Sequence, residues 1–245
     1  MRKCHLGKPS ARNPRDTEFK LPRAETPKTN IDKMGRPSNM VATYWPSRKG
    51  GFRMQLLRRY WHIKMPYLLD VWPHVHDWSS SVEMLPWEAD GKKGEFTASF
   101  RVQEAACSYA VYLYEDGKPN DGDEAKVAAR EAKHERLALL FSERGDHLRF
   151  MSRSQLETHP HLESAKEIFY HRYWDWPNDL PRDVAVMVSR KEARTLGDLL
   201  GRVGGGDATW HQLLSLISNG HIDVDLDDGL GKHTAVTAAR IEGHV

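Results

Sequence analysis

The sequence is poor in cysteine and has no long apolar segment. Its two cysteines, Cys4 and Cys107, are too few and too far apart for a disulfide framework or a zinc cage. No stretch approaches the roughly 20 apolar residues that a membrane helix needs, and the N-terminal residues lack the apolar segment of a secretory signal. We therefore expect a soluble protein of a reducing cytoplasm, with one large domain or two small ones in 245 residues.

Acidic residues are scarce in the first part of the chain. Residues 1–50 contain 12 Lys and Arg against 4 Asp and Glu, whereas the whole chain has a formal net charge of only +2. Residues 1–40 are also rich in proline and show no apolar periodicity, which predicts a basic extended arm. A basic arm on a mildly acidic body is typical of proteins that contact nucleic-acid phosphates, so DNA is an expected partner. A solubilising tail that binds nothing is the alternative.

Residues 41–176 have the periodicities of an α/β or α+β domain. An apolar stripe at helical spacing predicts one helix over Met54–Leu69, bent or ended near Pro66. In EFTASFRV, Phe96, Phe100 and Val102 share one strand face, and Ser99 lies on the other. The other predicted elements are strands at 81–88, 95–103, 108–115 and 147–151, and helices at 123–143 and 162–174.

A second unit is predicted over residues 182–245. TLGDLLGRV and ATWHQLLSLISNG read as two helices joined by three glycines, and HIDVDL and HTAV read as a strand pair. Helix, turn, helix and hairpin is the order of a winged helix. We expect a small winged-helix-like C-terminal domain, a fold that binds either DNA or protein.

Several short motifs follow one another along the chain. They are Pro46-Ser47-Arg48-Lys49, LDVWPHV at 69–75, FTASFRV at 96–102, LRFM at 148–151, HPHLESA at 159–165 and LLSLISNGHIDVDLDDGL at 213–230. Their order resembles the TnsA-type endonuclease subunit of heteromeric transposases. That family implies a restriction-endonuclease-like mixed sheet flanked by helices, followed by a winged-helix-like part, and the resemblance covers roughly residues 35–230.

The resemblance fails at the residues that would perform the chemistry. Such nucleases hold Mg²⁺ with two or three carboxylates and use a lysine to activate water. The resemblance places the metal-binding aspartate at Ser99, and the glutamate and lysine of the next strand at Tyr112 and Tyr114. The early acidic helix matches MQLLR, which contains no acid. We therefore expect a nuclease fold that has lost its metal site and needs no cofactor.

Two functions remain open besides loss of catalysis. Relocated carboxylates could still hold Mg²⁺ in an active endonuclease, with Glu83, Glu115 and Lys118 as candidates. In a purely assembly or regulatory protein, the winged helix would instead contact protein and DNA binding would be weak. The partners that the resemblance implies are a transposase of the DDE type and an ATP-dependent regulator of transposition. The basic residues predicted to contact DNA are Arg48, Lys49, Arg53, Arg58, Arg59 and Arg101.

Overall fold

A computed structural model describes residues 41–47, 49–51, 53–80, 84–89, 92–116 and 124–239. Of the helices in these ranges, the longest is highly charged, and none has the length and apolarity that a membrane span requires. The strands are β1 Val41–Trp45, β2 Arg53–Leu57, β3 Val75–Ser80, β4 Met84–Ala89, β5 Lys92–Thr97, β6 Phe100–Glu104, β7 Ser108–Tyr114, β8 Leu148–Ser152, β9 Ile222–Val224 and β10 Val236–Ala238. The helices are α1 Lys64–Val71, α2 Glu124–Glu143, α3 Arg153–Glu157, α4 Leu162–Tyr170, α5 Leu180–Ser189, α6 Leu196–Arg202 and α7 Asp207–Ser218, with a short 3₁₀ helix at Tyr60–Ile63.

A mixed four-stranded sheet with the order β3-β6-β7-β8 organises the N-terminal part. β6 is antiparallel to both β3 and β7, whereas β7 and β8 are parallel. A parallel pair needs a long crossover, which α2 provides. The predicted helix at 123–143 and the strands at 108–115 and 147–151 are thus confirmed within one or two residues. The predicted strand at 95–103 is two strands, because the chain leaves β5 at Ala98 and Ser99 before β6 begins.

The two faces of this sheet bury different cores. Val102, Val111 and Leu113 point into the main core with α1 and α4. Ala110, on the opposite face, packs with Leu137 of α2 in a smaller cluster. Because neighbouring strand residues alternate between faces, Tyr112 lies on the α2 side. The mixed α/β architecture predicted from the sequence is therefore present, with helices on both sides of the sheet.

The helix predicted at Met54–Leu69 is wrong in its first half. Residues 53–57 form β2, which pairs with β1 so that Leu57 faces Val41 and Leu56 faces Ala42. Gln55 joins this hairpin to β3, since its amide oxygen accepts from the Ser80 backbone N–H at 2.9 Å. Leu56 and Leu57 are both buried. Adjacent buried leucines produce a stripe at helical spacing even in a strand, and only tertiary pairing separates the two cases.

A buried carboxylate ties α1 to the strands around it. Asp70 accepts hydrogen bonds from Trp45 Nε1 at 2.7 Å, Trp78 Nε1 at 2.9 Å and Ser47 Oγ at 2.7 Å. Burial raises the pKa of Asp70, while these donors and the Lys49 cation act in the opposite direction. The end of β1 with the residues after it, and β3, are thereby both held to one side chain of α1.

The C-terminal elements pack directly on the N-terminal part. α7 packs against α4 and α1, and a single apolar cluster runs from Trp45 to Val236. β9 and β10 form a two-stranded antiparallel hairpin, and Thr195 bridges to Ala235 beside it. The two predicted helices correspond to α6 and α7, although α5 was not predicted. The division into domains at 176–182 stays a prediction.

Candidate nucleic-acid interface

An open cleft of about 830 Å³ lies where three distant segments meet. Its walls are the bend and 3₁₀ helix after β2, the end of β7, and the middle of α2. The C-terminal half of α2 packs on the sheet through Leu137, Leu140 and Phe141, whereas its first turns are exposed. We call this feature the basic cleft; its lining residues are Arg58, Arg59, Trp61, His62, Tyr112, Leu113, Tyr114, Glu115, Ala129, Arg130, Lys133 and His134.

The charge of the basic cleft is strongly positive. Arg58 and Arg59 stand on one wall, and Arg130 and Lys133 stand on the other. The guanidinium of Arg58 is held by the Thr97 carbonyl, to which it donates at 3.2 Å. Arg130 and Lys133 are three positions apart on α2 and so lie on one face of the helix. Four permanent cations facing one cleft create a local field that attracts phosphate.

One of the described lining residues is acidic, and it is already engaged. Glu115 Oε1 accepts a hydrogen bond from Trp61 Nε1 at 3.0 Å. Its other oxygen lies 3.6 Å from Arg153 Nη1. Glu115 therefore fixes the Trp61 ring and offsets part of the charge of Arg153.

Aromatic rings line the cleft beneath these cations. The guanidinium carbon of Arg130 lies 5.5 Å from the Tyr114 ring centre, and Lys133 Nζ lies 6.0 Å from that of Tyr112. Tyr112 is braced edge-on by Phe96 at 5.0 Å between ring centres. Arginine beside aromatic rings is the combination that single-stranded nucleic-acid binders use to hold backbone and bases together.

Two histidines in the cleft are held neutral by their surroundings. Burial, together with the charges of Arg58 and Arg59, lowers the pKa of His62 to about 4. Burial also lowers the pKa of His134, with Arg130 and Lys133 adding to the effect. Burial is the larger cause in both cases, the neighbouring cations add to it, and Glu131 acts in the opposite direction on His134.

His62 should make the fold sensitive to acid. The side chain is 3% exposed, and its Nδ1 makes no hydrogen bond among the described residues. Between pH 6.5 and about pH 4 the unfolded chain binds a proton that folded His62 refuses, so stability falls as the pH is lowered through this window. At 1.36 kcal/mol per unit, the full contribution is about 3 kcal/mol. Lowering the pH from 7 to 4 should reduce the free energy of unfolding of His62→Leu by about 2–3 kcal/mol less than it reduces that of the wild type. Urea unfolding at the two pH values measures the difference.

The matched control is His147→Leu, an exposed histidine outside the cleft. It should follow the wild-type pH profile. Equal acid sensitivity of His62→Leu and the wild type would contradict the assignment.

Ser99 has a structural role at the break between β5 and β6. It is 1% exposed, its N–H donates to the Val111 carbonyl at 2.7 Å, and its hydroxyl accepts from the Leu113 N–H at 3.0 Å. The hydroxyl thus satisfies a β7 backbone donor where the strand ladder is interrupted. The origin of Ser99 as a replaced aspartate stays a prediction.

Removing this hydroxyl is expected to destabilise the sheet. Ser99→Ala leaves the buried Leu113 N–H without its Ser99 acceptor, which costs about 1–3 kcal/mol of unfolding free energy. Ser142→Ala, on the exposed surface of α2, should change it by less than about 0.5 kcal/mol. Urea midpoints of the two variants make the comparison, and equal midpoints would refute the structural role.

The structure brings together only some of the residues singled out from the sequence. Tyr112, Tyr114, Glu115, Arg58 and Arg59 meet in the basic cleft. The two arginines lie at the bend after β2 and not on a helix. Glu83, Lys118 and Arg48 lie outside the described residues, as does the side chain of Arg53.

Two predicted DNA contacts are engaged elsewhere. Lys49 is 15% exposed, donates to the Trp72 carbonyl at 2.7 Å and lies 4.0 Å from Asp223. Burial lowers the pKa of Lys49, although Asp223 and Asp70 raise it. Arg101, which does not line the cleft, pairs with Asp146. We leave Lys49 and Arg101 out of the proposed interface.

Sequence reasoning missed the α2 wall of the cleft. Arg130, Lys133 and His134 recur at helical spacing just before Leu137, the first buried residue of α2. That change from polar to apolar along one face marks the position at which the buried part of α2 begins. The sequence does not indicate that α2 faces the bend and 3₁₀ helix after β2, because only the tertiary fold brings them together.

No family model matches the chain, and no curated protein sequence matches it either.

Proposed function

We propose that this protein binds DNA through the basic cleft, as a TnsA-like, transposition-associated subunit that does not cut DNA at the sites of Ser99, Tyr112 and Tyr114. The observation that carries the proposal is the charge of the cleft. Arg58, Arg59, Arg130 and Lys133 line it against one carboxylate, Glu115, which is held by Trp61 and Arg153. Phosphate neutralisation by such residues supplies most of the affinity in non-specific DNA binding.

The same charges favour binding over metal-assisted hydrolysis at this place. A divalent cation would enter a field made by four cations and would find phenols where the family has a carboxylate and a lysine. Within the described ranges, no three His, Cys, Asp or Glu side chains are close enough to hold a metal ion. The alternative of a relocated Mg²⁺ site involves Glu83 and Lys118, which lie outside those ranges, and it remains an outcome of the test.

The architecture supports the restriction-endonuclease-like and winged-helix-like parts of the proposal. The restriction-endonuclease-like part is supported by a mixed sheet whose parallel pair is joined by a long helix. The winged-helix-like part is supported by the order of its elements, which are α6, α7 and the β9–β10 hairpin. The loop of this hairpin exposes Asp225, Asp227 and Asp228, which would repel phosphate. We therefore assign the hairpin to a protein partner, for which a DDE transposase or an ATP-dependent regulator is the proposed class.

Binding and cutting are tested separately on the full chain. We expect the protein to bind duplex or single-stranded DNA in EDTA, with an affinity that falls steeply as salt is raised. Supercoiled plasmid should stay intact in Mg²⁺ and in Mn²⁺. Nicking that is lost in Glu115→Ala would establish the relocated nuclease instead, and absence of salt-dependent DNA binding would refute the proposal.

A further inference from the structure

The cleft is shaped for bases as well as for phosphates. A cleft that held only a duplex backbone would need cations at its rim and no aromatic floor, because the bases of a duplex are stacked inside. Besides its two histidines, the cleft is lined by Trp61, which is only 7% exposed, and by the half-buried Tyr112 and Tyr114. Each of these three rings has a cation within about 6 Å of its ring centre: Arg153 at 5.9 Å, Lys133 at 6.0 Å and Arg130 at 5.5 Å, respectively.

The rings are held in place by their neighbours. The indole of Trp61 is fixed by its hydrogen bond to Glu115. Tyr114 meets the edge of His134 at 4.6 Å between ring centres, and His134 stacks on Phe150 at 4.3 Å. Rings fixed in advance lose little conformational entropy when a ligand stacks on them.

The volume of the cleft limits what can enter. At about 830 Å³ it is within the range of pockets that take small ligands, roughly 300–1,000 Å³. A B-form duplex could offer this cleft its backbone but not its bases, which are stacked inside. One or a few unpaired nucleotides are the nucleic-acid unit that can use both its cations and its rings.

We propose that the basic cleft binds unpaired nucleotides of single-stranded DNA, with the bases against Tyr112 and Tyr114 and the phosphates on Arg58, Arg59, Arg130 and Lys133. This inference rests on the proposed function, because it assigns the form of DNA that the same cleft takes. Duplex DNA would then use the cations of the cleft, including Arg130 and Lys133, without its rings. Strand ends, gaps or frayed pairs would be the preferred sites.

The test compares a short oligothymidylate with a blunt duplex of the same length, by fluorescence anisotropy on the full chain. We expect the single strand to bind more tightly. Tyr114→Leu should weaken single-strand binding between about fivefold and a hundredfold, which is the usual effect of losing one stacked base. Tyr114→Phe keeps the ring and should stay within about twofold of the wild type, and duplex binding should be similar in all three proteins.

A second readout separates stacking from loss of folding. An oligonucleotide carrying one 2-aminopurine loses fluorescence when that base stacks on an aromatic ring. We expect quenching by the wild type and Tyr114→Phe, and little quenching by Tyr114→Leu at saturating protein. Unchanged thermal unfolding of Tyr114→Leu shows that the fold is intact, and Tyr112→Phe and Tyr112→Leu repeat the comparison if it is not.

The outcomes distinguish this inference from the proposed function. Duplex binding as tight as single-strand binding, with no effect of Tyr114→Leu, would overturn the inference and leave DNA binding in place. Tighter binding of the matched RNA strand, or thymidine monophosphate binding as tightly as the oligonucleotide, would also overturn it. Failure of every oligonucleotide to bind would refute both.

Discussion

Replacing Asp70 with alanine is expected to lower the free energy of unfolding by about 3–5 kcal/mol. The carboxylate accepts from three buried donors, on Trp45, Trp78 and Ser47, and the substitution leaves all three without this acceptor. Buried donors that lose their partner cost about 1–3 kcal/mol each, and these costs are not fully additive. The Lys49 cation would also lose a nearby negative charge. Urea unfolding followed by circular dichroism measures the change.

Asp70→Asn shows how much of the loss is due to the charge. The amide oxygen can replace the carboxylate oxygen that faces Ser47 and Trp78, but its NH₂ group then faces the Trp45 N–H. We expect a smaller loss, about 1–3 kcal/mol. Asp175→Ala, at an exposed aspartate, should stay near the wild type. A loss below about 1 kcal/mol in Asp70→Ala would contradict the role given to this carboxylate.

Neutralising Arg130 and Lys133 together should weaken DNA binding about 25-fold for a single strand and about 60-fold for a duplex at about 0.1 M salt. Each cation is expected to neutralise one phosphate, which gives a slope of about 0.7 in the logarithm of affinity against that of salt for single strands and about 0.9 for duplex. Loss of two contacts therefore lowers the slope by about 1.4 or 1.8. Binding isotherms over a salt series measure both quantities.

The matched control keeps the change in net charge but leaves the cleft intact. Arg136→Gln/Arg144→Gln removes two exposed cations from the last turns of α2 and the residue after it, away from the cleft lining. Its slope should stay close to that of the wild type, since the lost charges face no proposed phosphate. If the two double variants lose affinity equally, net charge rather than the cleft governs binding, and the interface is wrong.

The elements predicted correctly were those whose sequence pattern has one physical reading. α2 combines many charged and small residues with three buried apolar ones. β7 is a strongly apolar run with turns on either side. The segment at Met54–Leu69 has two readings, because Leu56 and Leu57, on opposite faces of β2, are both buried. Which reading holds depends on β1, a strand over Val41–Trp45 that the sequence pattern did not indicate.

Some residues of the basic cleft had been selected from the sequence alone. Tyr112, Tyr114 and Glu115 were selected because a resemblance drew attention to that strand, and Arg58 and Arg59 because they are adjacent cations. Lys49 was selected by the same charge argument, yet it lies in the interior beside Asp223. Charge alone does not distinguish a phosphate contact from a buried ion pair, since both need a cation and differ only in their neighbours.

The walls of the basic cleft come from segments around residues 58–62, 112–115 and 129–134, which are far apart along the chain. No single hairpin or helix contains the residues of more than one wall. The α2 wall takes its place only when β7 and β8, which α2 connects, have paired in parallel. Ligand capture would thus arise late during refolding. A fluorescent oligonucleotide added to refolding protein would time the completion of the tertiary structure rather than the appearance of its first secondary structure.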